Sequence, residues 1–319
     1  MMNLRWQALA LIALILISVT LTKTGEKISP TTQKVEANIS SAESGSIRTG
    51  ANISFEKNQS VESNAPLLPK RKWEILDPTI KSEAIIFSSL ENGFSFFSTN
   101  PEKQWRTASL AKLLTAVIVT EEIGLNKKIP VSRTAITTDG EAGGLKSGEV
   151  YTARDMLKIM LLTSSNDAAA AFEEYIGGRS YFVKLMNDKA ATIGLTKSIF
   201  YDAAGYDDNN VSTAADLLKL TKYILENDPD IFNWTRLQSF IVQPTNDAEN
   251  RTILNIDPLA SNSGFLGGKT GTSPLAKENL IALFAGEKSR EIIIILGSAD
   301  RVKDAETLLK WGEIAYEKQ

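Results

Sequence analysis

Apolar and polar positions divide the chain into an apolar start, a long polar stretch and a densely patterned remainder. Arg5 precedes an apolar run from Ala8 to Leu21 that only Ser18 and Thr20 interrupt. A positive flank followed by such a run predicts a signal anchor or signal peptide over residues 1–22. The run is shorter than the roughly 20 residues of a full span, which Trp6 on one side and Thr22-Lys23 on the other can supply. No small-x-small cleavage site follows Val19, so the expectation is an uncleaved anchor. Arg5 then stays on the cytoplasmic side and the body of the chain lies outside. Residues 23–72 are rich in Ser, Thr, Asn, Glu and Lys, with Phe55 their one aromatic. They predict a disordered linker, because such a segment buries too little apolar surface to offset its ordering entropy. Asn38, Asn52 and Asn58 stand in N-x-Ser sequons, which matter only in a glycosylating pathway.

From Trp73 the pattern becomes that of a folded domain, expected to fill residues 73–319. Glu83–Leu90 and Phe94–Ser98 flank Asn92-Gly93, which predicts a β-hairpin. Ala108–Ile123 predicts a helix with Leu110, Leu113, Leu114, Val117 and Ile118 on its apolar side. Further helices are predicted over Thr152–Leu162, Asp167–Tyr175, Tyr181–Ile193 (stopped by Gly194) and Thr213–Glu226 (stopped by Asn227-Asp228-Pro229). Two apolar strands, Leu280–Ala285 and Glu291–Gly297, follow late in the chain, and Asp300 caps a closing helix to Tyr316. Two strands, a helical block, then strands and a terminal helix make an α+β fold: an antiparallel sheet from both chain ends, flanked by helices, with an inserted helical subdomain.

Composition narrows the chemistry. The chain of 319 residues has no histidine and no cysteine. A Ser-His-Asp triad and a Cys-His dyad are therefore excluded, and the usual zinc ligands are missing. A net charge of −3 gives no sign of a nucleic-acid partner.

Three short motifs remain. Ser109-Leu110-Ala111-Lys112 places Ser109 and Lys112 on one helical face, since positions i and i+3 are neighbours there. A serine hydroxyl attacks only after something takes its proton, and a neutral lysine can do so. Burial and a second nearby cation both drive a lysine towards neutrality, and Lys269 is the candidate second cation. Ser164-Ser165-Asn166 falls between two predicted helices, where a turn can cap a helix or project a hydroxyl and an amide into a cleft. Lys269-Thr270-Gly271 follows Gly267-Gly268 and precedes the late strands; lysine and threonine suit a terminal carboxylate, and glycine lets a second backbone lie close to a sheet edge. Copies of the first and third patterns, Ser54-Phe55-Glu56-Lys57 and Lys23-Thr24-Gly25, stand in the polar stretch without helix or strand context.

From about Glu83 to Tyr316 the chain resembles the serine-type D-Ala-D-Ala carboxypeptidases, the low-molecular-mass penicillin-binding proteins. The resemblance rests on Ala108–Ala116, on Gly144–Glu149 with Tyr151-Thr152, on Leu161–Ala169, on Ser212–Leu217 and on Gly268–Thr272. It implies a β-lactamase/transpeptidase-like fold and a serine hydrolase that removes the terminal D-alanine from peptidoglycan stem peptides. By the same resemblance Ser109 is the nucleophile, Lys112 its base and Ser164 a proton relay. Asn166 then binds the substrate backbone, Lys269, Thr270 and Gly271 hold its terminus, and the N–H groups of Ser109 and Thr272 form the oxyanion hole. No metal or organic cofactor is implied, and β-lactams should acylate Ser109.

Two departures stand out. Residues 139–144 lack the serine-rich character expected there. The family's β-rich second domain and amphipathic helix are not recognised after Tyr316, and the N-terminal anchor is expected to take over attachment to the membrane. A class A β-lactamase would need a glutamate to activate water, and no Glu-x-x-Leu-Asn element follows Ser164. A D,D-endopeptidase acting on cross-links and a non-catalytic wall-binding or penicillin-sensing protein stay open as alternatives.

Overall fold

The computed structural model describes residues 68–137 and 142–317. The apolar run, the three sequons and both stray motif copies lie outside them, as do residues 139–141 of the divergent loop.

Five strands form one antiparallel sheet: β1 (Ala84–Ser89), β2 (Ser95–Thr99), β3 (Phe265–Ser273), β4 (Lys277–Ala285) and β5 (Arg290–Ser298), in the order β3-β4-β5-β1-β2. The sheet is built from both ends of the chain, as the sequence implies: Ile85 pairs with Ile295 and Ile86 with Ile294. The β1–β2 hairpin turns at Gly93, whose φ of 69° is one that glycine adopts at no steric cost.

The inner strands are apolar without alternation because both faces of the sheet are covered. Ile86, Ile281, Leu283, Ile292 and Ile294 face the helical block, whereas Ile85, Phe87, Leu280, Ile293 and Ile295 face the terminal helix. Each fully buried side chain of this size contributes about 1.5–3 kcal/mol.

The helical block comprises α1 (Lys112–Ile118), α2 (Ala153–Thr163), α3 (Asn166–Tyr175), α4 (Arg179–Ile193), α5 (Ala214–Asn227) and α6 (Asp230–Thr235); α7 (Arg301–Ala315) closes the chain on the far face. Thr152, Thr213 and Asp300 cap α2, α5 and α7 by accepting from Asp155 N–H at 3.1 Å, Asp216 N–H at 3.0 Å and Lys303 N–H at 3.0 Å. Gly194 ends α4 in the left-handed conformation.

The predicted helix Ala108–Ile123 is three pieces: a 3-10 turn over Ala108–Ala111, α1, and a π turn over Val119–Ile123. Helix α6, which follows directly after Pro229, and several two-stranded ladders were not predicted. One of these ladders pairs Lys70–Arg71 with Tyr316–Glu317, so the two ends of the described body meet. Among the described residues no helix is long and apolar enough to cross a membrane.

Candidate active site

The 3-10 turn sets the first pair. With three residues per turn, side chains at i and i+3 eclipse one another, closer than on an α-helix. Lys112 Nζ donates to Ser109 Oγ at 2.9 Å, and also to Asn166 Oδ1 at 2.7 Å and the Ala204 carbonyl at 2.5 Å. Ser109 is half-buried, whereas Lys112 is fully buried. Burial pushes the Lys112 ammonium well below its ordinary range; the charge of Lys269 pushes the same way, and Asp202 opposes them.

The second motif lies at the α2–α3 junction. Ser164 ends α2 with φ 59° and ψ 32°, a left-handed conformation uncommon for serine. Ser165, not Ser164, caps α3, accepting from Ala168 N–H at 3.1 Å. Capping thus falls on Ser165, while the Ser164 hydroxyl turns to Lys269. The Ser164 hydroxyl accepts from Lys269 Nζ at 3.0 Å, and Asn166 opens α3 beside Lys112.

The third motif lies on β3, the edge strand. Lys269 is 2% exposed and also donates to the Thr270 carbonyl at 2.7 Å. Burial lowers its pKa to about 7; Asp257 raises it and Arg301 lowers it further. Thr270 is buried and Thr272 exposed. The backbone that approaches Gly271 most closely is the chain's own: a Cβ there would lie 2.8 Å from the Thr107 carbonyl oxygen and 3.1 Å from Ser109 N. Glycine at this position presses the edge strand against the turn that carries Ser109.

Three contributors were not read from the sequence. Asp202 gathers the loop after α4: its carboxylate accepts from Ala204 N–H at 2.8 Å, Gly205 N–H at 2.5 Å, Tyr206 N–H at 3.0 Å and Asp207 N–H at 2.5 Å. That loop presents the Ala204 carbonyl to Lys112, and a Cβ on Gly205 would overlap the Ala108 carbonyl oxygen. Arg301, the first residue of α7, donates to the Gly271 carbonyl at 3.1 Å and to Thr272 Oγ1 at 2.6 Å, which adds a second cation to the β3 edge. Asp257 is buried near Lys269; one carboxylate oxygen accepts from Leu259 N–H at 3.0 Å and the other has no hydrogen-bond partner among the described residues. Arg301 and Asp257 stand outside any short motif. Asp202 precedes Gly205 in a polar loop, a cue too common to mark a site.

Three segments far apart in sequence thus bring Ser109, Lys112 and Asn166 into one hydrogen-bonded group and Ser164 and Lys269, next to Thr270, into a second beside it. A buried lysine touching a serine and a second buried cation nearby suit acyl transfer by a serine without histidine. The family model described as D-alanyl-D-alanine carboxypeptidase matches residues 72–300. The chain belongs to this family. Membership in the D-alanyl-D-alanine carboxypeptidases supports a hydrolase of the carboxypeptidase or endopeptidase type. The chain is 27% identical over 244 residues to the D-alanyl-D-alanine carboxypeptidase DacB2 of Mycobacterium tuberculosis, covering 74% of this chain and 83% of that protein. It is 28% identical over 278 residues to DacC of Escherichia coli, covering 82% of this chain and 65% of DacC. A crystal structure of a D-alanyl-D-alanine carboxypeptidase from M. tuberculosis superposes with a TM-score of 0.69 at 28% identity, covering 75% of this chain and 93% of that one. The expected α+β fold is the one these relatives share.

Proposed function

We propose that the protein is a serine D,D-carboxypeptidase that removes the terminal D-alanine from peptidoglycan stem peptides through an acyl-enzyme on Ser109. The observation that carries the reading is the fully buried Lys112 at 2.9 Å from Ser109 Oγ, held low in pKa by burial and by Lys269. When Lys112 is neutral the contact reverses, and the Ser109 O–H donates to the Nζ lone pair. Ser109 Oγ then attacks the carbonyl carbon between the two D-alanines as its proton passes to Lys112.

The new oxyanion needs donors fixed in advance. The N–H groups of Ser109 and Thr272 suit this task, because Gly271 draws β3 against the nucleophile turn. Collapse of the tetrahedral intermediate breaks the C–N bond, and the departing amine takes a proton relayed through Ser164, whose hydroxyl bridges towards Lys269. Water then adds to the ester and releases the shortened peptide and free Ser109. Lys269 and Thr270, with Arg301 beside Thr272, hold the terminal carboxylate, and Asn166 binds the substrate backbone. β-Lactams acylate the same serine.

Residues 1–22 attach the protein to the bacterial cell membrane, residues 23–72 act as its tether, and the catalytic body lies outside the cytoplasm. This reading rests on the apolar run behind Arg5 and on the peptidoglycan substrate. The test is D-alanine release from a Lys-D-Ala-D-Ala peptide by the full-length protein beside Ser109→Ala. Release that disappears in the variant supports the reading, and release that persists removes Ser109 as nucleophile. A folded wild-type protein that frees no D-alanine yet cleaves cross-linked muropeptides is an endopeptidase instead.

A further inference from the structure

The corner of the body where the chain enters carries exposed apolar side chains that the reaction does not use. Trp73 is 83% exposed, Leu76 85%, Ile314 57% and Leu68 55%. Trp73, Leu76 and Ile314 belong to one corner, and the pairing of Lys70 with Glu317 brings in the strand that follows Leu68. Lys72 N–H donates to the Ala315 carbonyl at 2.8 Å, the Leu76 carbonyl accepts from Trp311 Nε1 at 2.9 Å, and the Arg71 guanidinium lies over the Trp73 ring at 5.5 Å. The backbone beneath is stiff: Arg71 also donates to the Ile75 carbonyl at 2.6 Å and to Asp77 at 2.9 Å. Trp73 and Leu76 are therefore held outward by a braced turn.

Isolated exposed apolar residues need no explanation, but a cluster of large ones marks a surface that meets something. Charge does not select the partner here, since Glu74, Asp77 and Glu317 balance Lys70, Arg71 and Lys72. Two features select a bilayer. Tryptophan with aliphatic neighbours and flanking lysines is the composition of a membrane–water interface. The corner also receives the chain directly from the polar stretch that follows the apolar run, so it is the part of the body nearest along the chain to the proposed anchor.

We infer that Trp73, Leu76, Ile314 and Leu68 form a lipid-docking face that seats the catalytic body on the bilayer surface. The inference rests on the proposed attachment through residues 1–22. It also fixes a stand-off. Helix α7 ends at Ala315 in this corner and begins at Arg301, which hydrogen-bonds to Thr272 of β3. Its 15 residues span about 22 Å at 1.5 Å per residue. Docking by this face holds the cleft about one helix length from the corner that meets the lipid headgroups.

The experiment is fluorescence quenching of the full-length protein in phosphatidylcholine–phosphatidylglycerol vesicles carrying brominated acyl chains. Trp6→Phe, Trp73→Phe and the double variant are compared. The difference between Trp6→Phe and the double variant reports Trp73, and that between Trp73→Phe and the double variant reports Trp6. Quenching of both supports docking on an anchored protein. Quenching of Trp6 alone overturns docking and leaves the anchor standing; quenching of Trp73 alone overturns the anchor and keeps the face. Neither quenched overturns both. An unquenched Trp73 with concentration-dependent dimers that Leu76→Ser abolishes assigns the face to a second copy and also overturns docking.

Discussion

Gly271 and Ser109 meet backbone to backbone: a Cβ placed on Gly271 would lie 3.1 Å from Ser109 N and 2.8 Å from the Thr107 carbonyl oxygen. Neither neighbour is a flexible side chain, so Gly271→Ala must move the strand or the turn. Catalysis tolerates such shifts poorly, and a displacement near 1 Å costs on the order of 100-fold. Gly271→Ala is expected to lose about that much kcat/KM for D-alanine release. Its circular dichroism stays that of the wild type, which separates misplacement from unfolding.

The buried Lys269 gives the pH profile its alkaline limb. Lys269 titrates at about 7, so it is a cation below that pH and loses its charge as pH rises through it. In the proposed reaction the substrate carboxylate needs the cation, and kcat/KM is therefore expected to fall above about 7. In kcat that limb moves to higher pH, since a bound carboxylate favours the charged lysine. Asp257 raises the Lys269 pKa, so Asp257→Asn lowers it and moves the kcat/KM limb to more acidic pH. Asparagine still caps Leu259 N–H, and the thermal midpoint reports whether the fold survives. An unmoved limb in a folded variant removes Asp257 from the electrostatics of Lys269.

Lys112→Met keeps the length of the side chain and deletes its charge. Loss of a general base lowers rates by about 10²–10⁴-fold. Acylation by a fluorescent penicillin is expected to slow by that factor, read from band intensity against time. Stability responds to two opposed effects. Desolvation of a cation is relieved, while the Ala204 carbonyl loses a donor at about 1–3 kcal/mol. The net change is expected to stay below about 2 kcal/mol in urea unfolding.

Gly205→Ala strikes the support of the nucleophile turn. Gly205 has φ 73°, and a Cβ there would overlap the Ala108 carbonyl oxygen. A strained backbone costs about 1–3 kcal/mol before the clash is added. The variant is expected to lose more than about 2 kcal/mol in denaturant unfolding. Its penicillin acylation should fall more steeply than its stability, because the same loop presents Ala204 to Lys112.

Much of this was legible because it is local. The strands around Asn92-Gly93, the helix starts at Thr152 and Thr213, the cap at Asp300 and the stop at Gly194 follow from residue chemistry within a few positions. The motif residues could be singled out for the same reason, and the structure brings Ser109, Lys112 and Asn166 into hydrogen-bonding contact, with Ser164 bonded to Lys269. What was missed depends on distant neighbours. Ala108–Ile123 has helical apolar spacing throughout, yet tertiary packing tightens its first turn and loosens its last. Arg301 opens an unremarkable helix and matters only because β3 passes beside it. The glycine in Lys269-Thr270-Gly271 suggested room for an incoming chain, and only the fold shows that Ser109's own turn takes up that space.

The pairing of Ile85 with Ile295 also has a bearing on when this enzyme comes into being. Strand β5 joins the early hairpin to the late strands, so the sheet cannot close before the chain has been made through Ser298. Contacts this far apart in sequence form slowly. A chain exported as proposed above gains from such an arrangement, because the delay keeps it pliable until β5 emerges. Assembly of the proposed serine site before export is thereby disfavoured by the order of the strands alone.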